Sequence, residues 1–201
     1  MERPAARRTQ AERTAATRSA LLEATVAVLA DRGYAGTSTT EIARRAGVSR
    51  GGQLHHFPTK VDLVGAALDH VFAEREEAFR TRFAALPPEA RNEAGAAQVF
   101  TEIGQGPHQL AVLELLNAAR TDDELRPLAR RVLRDYERSI TEVFAEVVPG
   151  AAEDPLSGAR VRVAMALLQS AGLHRELGLV DEAAELVVTL RVLADLFPAG
   201  A

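Results

Sequence analysis

Apolar residues along this chain recur three and four positions apart, and no sustained alternation of period two interrupts that spacing. The pattern predicts an all-α fold of about nine helices, and the punctuation between the apolar stripes places them. Leu21, Leu22, Thr25, Val28 and Leu29 form the stripe of a first helix, which Gly33 can end in the left-handed conformation. Ser38-Thr39-Thr40-Glu41 then fits a capping box that opens a short helix with Ile42, Ala43 and Ala46 inward and Gly47 as its stop. Ser49 is the N-cap of a third helix, which runs to about Phe57 before Pro58. Three helices, the last two short and joined by a tight Gly-Val-Ser turn, make a helix-turn-helix.

The remaining chain continues in the same idiom. Thr59 to Asp62 resembles another cap, and a long fourth helix follows with Val64, Leu68, Val71, Phe72, Phe79 and Phe83 inward. Pro87-Pro88 breaks it, and a fifth helix is expected from about Glu89 to Ile103. Gly104 to Pro107 breaks again before a sixth helix that ends near Arg120. A seventh lies between about Leu125 and Val147, with Pro127 in its first turn, where a missing N–H does no harm. The last two span roughly Leu156–Leu177 and Asp181–Phe197.

Charge separates the front from the rest. Between Met1 and Lys60 ten basic residues face five acidic ones, so this stretch carries +5, while the whole chain of 201 residues carries −4. A basic module on an acidic body points to an anionic partner for the front alone. Hydrophobic residues make up 47% of the chain, enough to build a core, which sets global disorder aside. The chain has no cysteine, so disulfides, thiolate metal sites and cysteine nucleophiles are excluded. Neither a membrane span of roughly 20 apolar residues nor a secretory stretch within Met1–Ala20 is present, and the expectation is a soluble, cytoplasmic protein.

The segment Ala46 to Lys60 reads AGVSRGGQLHHFPTK, and with Ser38 to Ala43 before it resembles the DNA-binding domain of the TetR/AcrR family. The resemblance is close from about Thr17 to Leu63 and beyond that rests on length and helical pattern. It implies a reader at residues 1–58, with a flexible basic arm at about 1–12, and a ligand-sensing and dimerisation domain at 59–201. The third helix would enter the major groove, which is wide enough for an α-helix. Arg50, Gly51, Gly52 and Gln53 lie near its start, where base edges are reached; Arg can bond guanine and Gln can bond adenine. Thr39, Thr40 and Ser49 sit at helix starts, where hydroxyls and free N–H groups meet phosphates. Lys60, the sole lysine, is expected to add a phosphate contact, with His55 and His56 alongside, and Arg7, Arg8 and Arg13 are candidates for the arm.

Two positions depart from the family pattern. Gln53-Leu54 stands where members usually carry Leu-Tyr before His-His-Phe, and Leu54 cannot replace the tyrosine hydroxyl. Either Leu54 packs inward and His55 takes the polar role, or the helix sits differently. Gly51-Gly52 should each cost a helix about 1 kcal/mol relative to Ala; close backbone approach to DNA is the functional reason to keep them. Adjacent His55 and His56 point apart on a helix, and His70, His108 and His174 lack ligand spacing, so no metal and no cofactor is expected.

The partners expected are a double-stranded DNA operator, a second copy of the chain and a small-molecule inducer, with no membrane. Ala164, Leu168, Ala171, Val187, Leu190, Leu193 and Phe197 on the last two helices are the expected dimer interface, as part of a four-helix bundle with their copies. Phe100, Ile103, Leu113, Glu114, Asn117, Tyr136, Gln169 and His174 are candidate walls and anchors of an inducer pocket. An enzyme on a helical scaffold finds no phosphate-binding loop, dinucleotide fingerprint, nucleophile elbow or metal triad here. A helix-turn-helix adaptor without ligand sensing is the alternative, and salt-dependent DNA binding separates it from a DNA reader.

Overall fold

Side-chain caps start the first five helices of this computed structural model, which describes residues 9–178. The described residues form eight α-helices and no strand: α1 (Gln10–Gly36), α2 (Thr39–Ala46), α3 (Arg50–His56), α4 (Lys60–Ala85), α5 (Glu93–Ile103), α6 (Pro107–Ala119), α7 (Leu125–Val147) and α8 (Ser157–Glu176). Ser38, Ser49 and Thr59 cap α2, α3 and α4 as their spacing predicts, each hydroxyl accepting a backbone N–H three residues on. Thr9 and Asp62 extend the device, because α1 and α4 both carry the complete reciprocal box. At Ser38 only half of it forms: the Glu41 carboxylate turns to Arg44 and Arg32 instead of the cap N–H.

Two helix boundaries differ from expectation. Gly33 has φ +65°, yet the chain regains a helical turn to Gly36, so the glycine kinks α1 where it was expected to end it. After Pro87 the residues Pro88–Ala90 make a 3-10 turn, and α5 begins only at Glu93, where the Asn92 side chain accepts the Gly95 N–H at 3.1 Å. The expected helix over Asp181–Phe197, with Val187, Leu190, Leu193 and Phe197, lies outside the described residues, as do Arg7 and Arg8 of the arm.

α1 packs on α2, α4 and α6, α4 packs on α5 and α7, and α8 lies against α6 and α7. The buried apolar side chains form one cluster that runs from Leu21 in α1 to Leu168 in α8. Leu21, Leu22, Val28 and Leu29 are buried at 1% exposure or less, and each such side chain contributes roughly 1.5–3 kcal/mol. The inward stripe of α4 is apolar but for one residue: Arg75 follows Leu68 and Phe72 and precedes Phe79, and it is buried with them.

α8 presents different residues to the outside from those expected. Leu168 is 6% exposed and closes on Gly104, and Ala164 and Ala171 pack against the same core. Leu168 thus serves the chain's own interior, with Ala164 and Ala171 partly buried beside it. The outward stripe is Val163, Ala166, Ser170, Leu173 and Leu177, alternating three and four apart, with Leu173 52% exposed. No helix among the described residues is long and apolar enough to cross a membrane.

Candidate nucleic-acid interface and ligand cavity

The turn between α2 and α3 is set by Gly47, whose φ of +66° is the left-handed conformation that lets its N–H reach back to the carbonyls of Ala43 and Arg44. Ser49 then starts α3 at once. α2 is anchored below by buried Ile42 and Ala43 and at its flank by ion pairs to α1, Arg45 with Asp31 and Arg32 with Glu41. The Arg44 guanidinium grips both oxygens of Glu41, at 2.8 and 2.9 Å. That bond, helped by the charge of Arg32, holds the Glu41 carboxyl down at about 2.

α3 has two sides. Arg50, Gly51, Leu54 and His55 share the exposed one, spaced as neighbours on a helix surface. Arg50 has no hydrogen-bond or ion-pair partner among the described residues. A side chain at Gly51 would meet nothing within 4 Å, so its bare backbone faces outward, as close approach to a groove requires. Gly52 has another reason to be small: a Cβ there would stand 3.1 Å from Val48 and 3.3 Å from the Ser49 hydroxyl. Thr40 and Ser49 are exposed at the helix starts, Thr39 and His56 are half-buried, and Arg13 is exposed on α1.

Gln53 overturns its expected role. It is fully buried, and its side-chain amide donates to the Phe57 carbonyl at 2.6 Å. Phe57 is buried four residues on, and that spacing puts Gln53 on the inward side; it reads no base from there. Leu54 correspondingly faces out, 46% exposed, where an apolar side chain can meet a thymine methyl. Lys60 is also engaged elsewhere than expected. Its ammonium bonds the Tyr34 carbonyl and lies over the Tyr34 ring, and burial lowers its pKa against the pull of Asp122. An ammonium turned back onto α1 is not extended toward a phosphate.

Below the reader, α4, α5, α7 and α8 line a partly open cavity of about 350 Å³. Phe79, Phe100, Ile140, Phe144 and Val161 are among its apolar walls, and Glu93 and Arg160, paired with each other, are its charged ones. Phe100 also lines a smaller space of about 20 Å³ with Tyr136, Gln169, Arg75 and Gln109. Of the expected pocket residues, Phe100, Tyr136 and Gln169 therefore meet at a cavity. Ile103 packs on the core beside it. Leu113, Glu114, Asn117 and His174 do not join them. Glu114 reaches toward Gly33, Asn117 is exposed, and exposed His174 pairs with Ser170 on α8. Helical periodicity did not single out Arg75 and Gln109, although the polar interruption of an apolar stripe marks Arg75.

Two short helices joined by a tight turn at Gly47, the second capped by Ser49 and carrying exposed Arg50, make a helix-turn-helix. Residues 21–67 match the family of bacterial regulatory proteins of the tetR type. An HTH-type transcriptional regulator of Mycobacterium tuberculosis is 33% identical over 148 residues, which cover 74% of this chain and 75% of that one. The regulator CymR of Pseudomonas putida is 46% identical over 83 residues, 41% of each chain. A solved TetR-family regulator from Rhodococcus sp. shares the fold at a TM-score of 0.74 and 20% identity, covering 90% of this chain and 98% of that one. The chain belongs to the TetR family of transcriptional regulators.

Proposed function

We propose that this protein is a ligand-responsive repressor that binds a near-palindromic operator as a homodimer and is released from it by a small molecule. Residues 1–58 form the reader and residues 59–201 the sensing and dimerising body, working on cytoplasmic DNA. The observation that carries this reading is the outward side of α3, where Arg50, Gly51, Leu54 and His55 stand exposed on a helix whose other side is locked by Gln53 and Phe57. Thr40 and Ser49 flank that side for phosphates. The outward stripe of α8 supports the second copy: residues alternating three and four apart are what an antiparallel or parallel helix seam uses.

α4 supports the coupling. It starts at Lys60 beside the reader and carries Phe79 into the wall of the larger cavity. A ligand that displaces α4 would change the spacing of the two recognition helices, which must match the roughly 34 Å between successive major grooves. A ligand shifts this equilibrium only by its preference for the DNA-incompetent state, and a tenfold loss of operator affinity takes about 1.4 kcal/mol. The test is selection of bound fragments from a genomic DNA pool, followed by titration of the selected site at several salt concentrations. A repeated inverted sequence bound by a dimer, with affinity falling steeply as salt rises, is the expected result. Binding without sequence preference overturns the reading.

A further inference from the structure

Arg75 is a buried cation that no carboxylate bonds among the described residues. It is 5% exposed in the middle of α4. The groups that bond it are neutral: the Gln109 side-chain oxygen at 3.2 Å and the hydroxyl of Tyr136. Its Nε has no partner, and neither does the amide nitrogen of Gln109, itself 3% exposed. Two orphaned donors and a buried charge thus belong to residues that line the 20 Å³ space, and Phe100 lines both that space and the large apolar cavity. Burial acts on all of them: it lowers the Arg75 pKa and pushes the Tyr136 hydroxyl up to about 12.

An unpaired guanidinium in a dry interior is costly, and a carboxylate is the group that matches its fork of donors. The far end of the large cavity holds a paired cation instead. Arg160 there pairs with Glu93 and also with Asp154 at 3.3 Å. The cationic group at that end is already engaged, and the walls between are apolar. The two ends together specify both the composition and the direction of an occupant.

We propose that the effector is an amphipathic monocarboxylate, its head on Arg75 and Gln109 and its alkyl or aryl body in the cavity beyond Phe100. The assignment rests on reading the body as ligand-responsive. Binding would supply Arg75 with the counter-charge that no described carboxylate gives it, and so couple the ligand to the helix that leads to the reader.

The experiment compares octanoate with 1-octanol and acetate on the full-length protein, by calorimetry and by operator titration. Octanoate is expected to bind at least tenfold more tightly than 1-octanol and to weaken operator binding. Gln109→Leu and Arg75→Gln should each remove that preference; where Arg75→Gln does not fold, Gln109→Leu and the wild-type comparison decide. Equal binding of octanoate and 1-octanol, both releasing DNA, overturns the carboxylate head and keeps ligand sensing. Octanoate binding through Gln109 with operator affinity unchanged keeps the head site and overturns ligand sensing. Acetate matching octanoate reduces the site to a small-anion pocket and overturns the amphipathic assignment, as does failure of octanoate to bind.

Discussion

The ammonium of Lys60 donates to the main-chain oxygen of Tyr34 at 2.6 Å and lies 3.7 Å from the centre of the Tyr34 ring. The first residue of α4 thereby clasps the last turn of α1. Lys60→Met keeps the stem and removes the clasp, and it is expected to lower stability by roughly 1–2 kcal/mol in denaturant titration. The salt dependence of operator binding should stay as in the wild type, because no phosphate contact is lost. A slope reduced by about one would return Lys60 to the phosphate backbone.

Arg50 and Gln53 are three residues apart and should behave in opposite ways. Arg50→Ala is expected to relax preference at one base position per half-site, at a cost of roughly 1–3 kcal/mol there, with thermal stability unchanged. Gln53→Leu should leave every base preference intact. It removes the bond to Phe57 but also a buried side-chain oxygen that has no partner, so the net stability change should stay within about 1–2 kcal/mol. Binding to a library of single-base operator variants separates the two; altered base preference in the Gln53 variant would contradict its burial.

Glu41 gives the reader an acid-sensitive element. Folding lowers its pKa from 4.5 to about 2, through Arg44 first and then Arg32. As pH falls, the unfolded chain therefore takes up the proton before the folded one does. The contribution is complete above about pH 4.5 and is lost progressively down to about pH 2. Glu41→Gln should narrow the difference in urea midpoint between pH 6 and pH 3; an unchanged difference would show that the Arg44 bond adds nothing to stability.

Leu173 and Leu168 test the two sides of α8. Leu173→Glu places a carboxylate on the exposed stripe and is expected to give a monomer in sedimentation at micromolar concentration, since an unpaired charge in an interface is costly. Leu168→Ala should instead cost the protomer about 2–5 kcal/mol, by opening a hole in its own core. A Leu173→Glu protein that sediments as a dimer would move the interface elsewhere.

Local signals placed the caps of α2, α3 and α4 and the turn at Gly47 accurately. Ser38, Gly47, Ser49 and Thr59 act within four residues of themselves, so their effect does not depend on the rest of the fold. The facing of Gln53 was also legible, since a buried aromatic four positions on fixes which side of so short a helix points inward. Arg75 was equally visible as a charge on the stripe of Leu68, Phe72 and Phe79. Its lack of a bonded carboxylate among the described residues was not, because that depends on α6 and α7, which lie more than thirty residues away in the chain. The sides of α8 were indistinct for a related reason: with Leu, Val and Ala around most of its circumference, periodicity alone cannot say which apolar side meets the core. Cavities are harder still, being the space that non-neighbouring helices fail to fill.

α1 belongs to the reader by sequence, yet it rests on α6 as well as on α4, and a side chain at Gly33 would lie 2.6 Å from the Glu114 carboxylate. The interface that would have to be cut to free the first 58 residues is thus hydrophobic core, with Leu21, Leu22 and Leu29 in one cluster with residues of α6 and α8. Excising the reader would leave that face wet, and grafting it onto a foreign body would require a matching groove. On the proposed reading, a new target promoter would therefore call for rewriting the outward positions of α3 in place, one helix surface at a time.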